Sequence, residues 1–84
     1  MEVFYTARFL RTFAKLEQSL QDDVESTIND FAHNPHTPHL KLHKLHGNMK
    51  QYHAFSANYN YRVVVKIEKG KAQCMDVGGH NIYQ

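Results

Sequence analysis

Seven histidines in an 84-residue chain are the side chains here best suited to moving protons near neutral pH. An imidazole with an unperturbed pKa of about 6.5 can act as base or acid there. Six of them, His33, His36, His39, His43, His46 and His53, lie between Asp30 and Glu68, a stretch with no acidic residue. The same stretch holds Lys41, Lys44, Lys50, Arg62 and Lys66, so its charge suits a polyanion. The seventh, His80, follows Gly78-Gly79, where a permissive backbone lets a side chain project past a strand end.

Arg62 alternates with Tyr61, Val63 and Val65, so burying those three leaves its guanidinium on the other face for a phosphate. A cross-strand ion pair with Asp76 is the competing use of that charge. The run His33, His36, His39 and His43 has a spacing that invites a metal reading. Pro35 and Pro38 forbid one continuous helix there, however, and no cysteine or carboxylate joins the run. The expectation is a site with no metal and no cofactor.

The elements that position these groups must come from one domain spanning residues 1–84, because a chain this short cannot support two cores. Its single cysteine, Cys74, makes no internal disulfide, and its N-terminus lacks the pattern of a secretory signal. The longest apolar run, Val63-Val64-Val65, falls far short of the roughly 20 residues that span a bilayer. These features predict a cytoplasmic protein with no membrane anchor. Charge is divided unevenly: residues 1–40 hold three basic and six acidic side chains, and residues 41–84 hold seven and two.

Residues 1–6 alternate as a short strand, after which Thr6 can cap a helix over Ala7–Leu16 with Phe9, Leu10, Phe13 and Leu16 on one face. Ser19 and Asp22 form a variant capping box for a second helix, with Leu20, Val24, Ile28 and Phe31 as its buried stripe and Asn34-Pro35 as its stop. From Lys50 the period changes to two. Strands are predicted over Gln51–Ser56, from Tyr61 to Ile67, and over Ala72–Val77, joined by turns at 57–60 and 68–71. The expected fold is α+β, in the order β-α-α-β-β-β. An antiparallel sheet has the two-helix hairpin packed on one face, and the other face is left partly open for function.

This order, with His43-Lys44-Leu45-His46-Gly47, Tyr61-Arg62-Val63-Val64 and Asp76-Val77-Gly78-Gly79-His80-Asn81-Ile82-Tyr83, resembles the RelE/ParE superfamily of toxins. The resemblance spans essentially the whole chain. It implies the toxin of a type II toxin–antitoxin pair, which in the ribonuclease branch cleaves ribosome-bound mRNA without a metal and so inhibits translation. It also implies a cognate antitoxin, mRNA and the ribosome as partners, with operator DNA reached only through the antitoxin. A ParE-like topoisomerase inhibitor and a decayed toxin that only binds its antitoxin are the alternatives within the same fold.

Metal-free RNA cleavage needs a base for the 2′-hydroxyl, a cation for the phosphorane and an acid for the departing 5′-oxygen. By resemblance to the YafQ-like subgroup, His43 and His80 are the proton carriers, and Arg62 is the family's common arginine. Tyr83 matches a C-terminal aromatic, for which base stacking is the more natural role. RelE itself has lysines where this chain has His53 and Phe55, so His53 is a substitute proton carrier, and Ser56 stands where YafQ-like toxins have a histidine. Lys41, Lys44, His46, Lys50 and Lys66 are the expected RNA contacts, acting on phosphates rather than on base identity.

Overall fold

A computed structural model of the chain describes residues 1–79 and Ile82. Strand β1 (Glu2–Tyr5) runs through Thr6 into helix α1 (Ala7–Ala14). Thr6 has the extended backbone of an N-cap, and its Oγ1 accepts the Phe9 amide at 3.0 Å, satisfying one of the donors a helix leaves open. The same hydroxyl shares its proton between the carbonyls of Cys74 and Met75, at 3.2 and 3.1 Å, and so ties the helix start to a distant strand.

Helix α2 (Gln18–His33) begins earlier than the Ser19 cap predicts. The carbonyl of Glu17 already accepts the amides of Leu20 and Gln21, both at 3.0 Å, which places Ser19 inside the first turn. Asp22, the other half of the expected capping box, instead accepts from Gln18 Nε2 at 2.9 Å one turn away. The predicted stripe of Leu20, Val24, Ile28 and Phe31 is buried, and the helix ends at Asn34, before Pro35.

The remaining strands are β2 (His43–Lys44), β3 (His53–Ser56), β4 (Arg62–Glu68) and β5 (Lys71–Gly78), and the sheet order is β1-β5-β4-β3-β2. The α+β class and the helical hairpin match the expectation, but the sheet is mixed. Strand β1 pairs parallel to β5, and β2 adds a fifth strand from residues expected to be loop. The direction of β1 follows from its neighbour: β5 arrives at that edge after the β3-β4-β5 meander, and Thr6 bonds to it there. Strand β2 is held by Leu42 packing into the main core and Leu45 into a second cluster, on opposite sides of the sheet.

Between helices and sheet lie Phe9, Val24, Ile28, Phe31, Leu40, Phe55, Val63, Val65, Cys74 and Val77. Phe31 and Phe55 stack with centroids 4.7 Å apart and planes 14° off parallel. Burial pushes the Cys74 thiol up to about 12, which makes it an unreactive core group. The opposite face of the sheet carries Leu45, Ala54 and Val64, with Met49, Tyr52, Met75 and Ile82 packed on them. Among the described residues no helix is long and apolar enough to cross a membrane.

Candidate functional site

The open face is organised by cross-strand rows. His43 stands opposite Ala54, Ala54 opposite Val64, and Val64 opposite Asp76; the next row is Ser56, Arg62 and Gly78. Paired residues share a face, so His43 and Arg62 project from the same side. Their Cα atoms are two strands and two residues apart, roughly 12 Å from inter-strand and pleat spacings. A small cation and an imidazole at that separation can address two sides of one phosphodiester.

Val64 pairs with Asp76 while Val65 pairs with Cys74, so Met75 is the extra residue of a β-bulge. The bulge turns both Met75 and Asp76 toward a cleft of about 260 Å³, lined also by Arg8, Met49, Tyr52, Val64 and Ile82. Ile82 folds back over this face, its backbone N–H donating to the Gly79 carbonyl at 3.0 Å. A Cβ on Gly78 would sit 3.3 Å from the Ile82 side chain, so the glycine permits that close approach.

His43 is exposed, and its Nδ1 lies 2.9 Å from the carbonyl of Lys41. A carbonyl only accepts, so Nδ1 carries the hydrogen and the neutral ring keeps its lone pair on Nε2. That tautomer is the one a general base requires. Lys41 itself is in the left-handed region, at φ 52°, where it closes the short turn Pro38–Leu40.

Arg62 does not pair with Asp76, which instead meets Arg8 at 3.1 Å. Its Nη1 donates to the carbonyls of Asn58, Tyr59 and Tyr61, at 3.1, 3.2 and 3.1 Å. These acceptors fix the guanidinium without neutralising it, because no carboxylate among the described residues forms an ion pair with it. A positioned and uncompensated cation of this kind suits a phosphate.

His53 is not brought to the open face. It pairs with Val65 and shares the side of Phe55, so strand alternation turns it toward the covered side, opposite to His43. Its Nδ1 is buried with no hydrogen-bond partner among the described residues. Desolvation, followed by the charges of Lys44 and His43, lowers its pKa below the usual value. The unfolded chain therefore takes up this proton first: the contribution of His53 to stability is complete above about pH 6.5 and is lost as pH falls toward the lower folded value. Thermal unfolding of wild type and His53→Gln between about pH 5 and pH 8 should show the wild-type midpoint falling more steeply on acidification.

Of the remaining expected contacts, Lys66 shares the open face with Val64 and forms an ion pair with Glu68 at 3.2 Å. Lys44 pairs with His53 and so projects from the same covered side of the sheet, away from His43 and Arg62. Lys41, His46 and Lys50 are exposed around the turns Pro38–Leu40 and Gly47–Met49. His80 and Tyr83 lie outside the described residues. His39 pairs with Asp30 at 3.1 Å and His33 with the Asn29 carbonyl at 2.9 Å, and among the described residues no three His, Cys, Asp or Glu side chains converge on a metal position. Sequence reasoning placed the turn at 57–60 but missed the Arg8–Asp76 pair and the gathering of that turn's carbonyls by Arg62. The turn does have a local signal in Asn58, a residue type that bonds its own backbone two residues on.

No family model matches the chain, and no curated protein sequence does. Solved structures do. A YoeB/ParE toxin from Agrobacterium tumefaciens superposes with a TM-score of 0.77 at 15% identity, covering 95% of this chain and 99% of that one. YafQ from E. coli gives 0.77 at 17%, over 94% and 92%. The toxin in a heterotetrameric YoeB–YefM toxin–antitoxin complex from Staphylococcus aureus gives 0.76 at 12%, over 95% and 97%.

Proposed function

We propose that this chain, which has the fold of the RelE/ParE-like toxins, is the toxin of a toxin–antitoxin pair and a metal-independent endoribonuclease acting on ribosome-bound mRNA in the cytoplasm. The observation that carries the reading is the pair on the open face: His43, with Nδ1 committed to the Lys41 carbonyl, and Arg62, held by three carbonyls with its charge unspent. In this mechanism His43 Nε2 takes the proton of the 2′-hydroxyl, and the oxygen attacks the adjacent phosphorus. Arg62 and Lys41 stabilise the crowded, doubly charged phosphorane, and the 5′-oxygen leaves with a proton. His80 is assigned as that acid and Tyr83 as a stacking residue, on the resemblance of their motif.

The partner that neutralises it is an antitoxin, as in the YoeB–YefM and DinJ–YafQ complexes of the similar structures. Its place is the groove beside edge strand β1, where Tyr5, Leu10 and Phe13 leave apolar surface against α2.

The test is mapping of RNA 5′ ends in cells after brief induction of wild type beside His80→Ala. Codon-phased cuts within translated messages, missing from the variant, are expected. Growth arrest with no new RNA ends would remove the ribonuclease reading and move the search to a topoisomerase target.

A further inference from the structure

Tyr59 is the most exposed large apolar side chain described, at 90% of its full accessibility. Such a residue at a turn tip gains nothing from packing, yet the turn beneath it is heavily bonded. Ala57 and Tyr61 close it through the amide–carbonyl bond at 2.9 Å, and Asn58 Oδ1 accepts the amides of Asn60 and Tyr61, both at 2.9 Å. Arg62 Nη1 then gathers the carbonyls of Asn58, Tyr59 and Tyr61, and Asn58 Nδ2 reaches Asp23 on α2 at 3.3 Å. The backbone that presents the ring is therefore ordered before any partner arrives, which reduces the cost of binding through it.

The ring borders a groove of about 510 Å³ shared with His39, Lys41, Ser56 and Arg62. His39 is paired with Asp30, whereas Lys41 and Arg62 have no carboxylate partner among the described residues. The groove thus sets the flat ring of Tyr59 beside two uncompensated cations, so its chemistry matches a ligand that joins flat aromatic faces to a polyanionic backbone.

We infer that Tyr59 is a base-stacking platform, holding a nucleobase of single-stranded RNA next to the phosphate that Arg62 and Lys41 engage. The inference rests on the ribonuclease reading and adds to it the subsite that orients the strand. Stacking on an exposed aromatic tolerates any base, so the subsite sets strand position rather than sequence. Tyr59 is then a positioning residue, since it contacts RNA away from the reacting atoms.

The experiment is titration of a short single-stranded RNA containing 2-aminopurine with wild type, Tyr59→Ala and Tyr59→Phe at low salt. Wild type and Tyr59→Phe should bind alike and quench the fluorophore at saturation. Tyr59→Ala should bind about 5- to 100-fold more weakly and leave the fluorophore bright even when saturated, with its unfolding midpoint unchanged. Equal affinity and quenching for Tyr59→Ala, with wild type binding RNA, would overturn the platform and leave the ribonuclease reading standing. Wild type that neither binds nor cuts RNA would remove both. A Tyr59→Ala loss confined to antitoxin binding would assign the ring to a protein interface and overturn the inference.

Discussion

Replacing His43 with alanine should lower RNA cleavage by the purified protein about 10²- to 10⁴-fold, the range for loss of a positioned proton carrier. The side chain is exposed on a two-residue strand, so little packing is lost and the fold should persist. The tautomer is what makes the effect large. With Nδ1–H committed to the Lys41 carbonyl, the ring presents Nε2 to substrate in one orientation, and glutamine, which cannot accept a proton at this pH, should fail as alanine does. The check is single-turnover cleavage of a labelled message on ribosomes, alongside circular dichroism. Undiminished cleavage by a folded His43→Ala protein would place the base elsewhere.

The second large effect is on stability. Phe55 has no solvent exposure and stacks on Phe31 across the interface between β3 and α2. Phe55→Ala removes that contact and leaves a cavity, at a cost of about 3–5 kcal/mol. Domains of this kind are stable by only about 5–15 kcal/mol in total. For a chain of this length the midpoint should drop on the order of 20 °C, and the urea midpoint should fall with it. The double variant with Phe31→Ala should lose less than the sum of the single losses, by about 0.5–1.5 kcal/mol of ring–ring coupling. A loss below about 1 kcal/mol would mean that the core closes over the gap. Loss of activity in Phe55→Ala therefore says nothing about chemistry, whereas loss in His43→Ala does.

The two variants also separate what is read at different ranges along the chain. The stripe Leu20, Val24, Ile28 and Phe31 and the alternation of Tyr61, Val63, Val65 and Ile67 are legible because each periodicity is a property of neighbouring residues, and both are found packed in the core or against it. Thr6 as a cap is legible for the same reason, since its acceptor and the Phe9 amide are three residues apart. The Ser19 capping box is legible by the same rule and is absent, because the Glu17 carbonyl organises the first turn sooner.

The sequence by itself determined the α+β class, the core faces of α2 and β4, and the placing of Arg62 on the face opposite Val63. Each of these follows from side-chain period and local hydrogen bonding. Only the tertiary structure decided that β1 runs parallel to β5, that His43 and Lys44 form a strand, and that His53 turns away from His43. It also decided that Asp76 takes Arg8 while Arg62 takes three carbonyls of its own turn. These outcomes depend on pairing direction, register and a bulge, and a shift of one residue in register exchanges the two faces of a strand. Register is set by what packs on the far side of the sheet, and residues distant in the chain supply that packing.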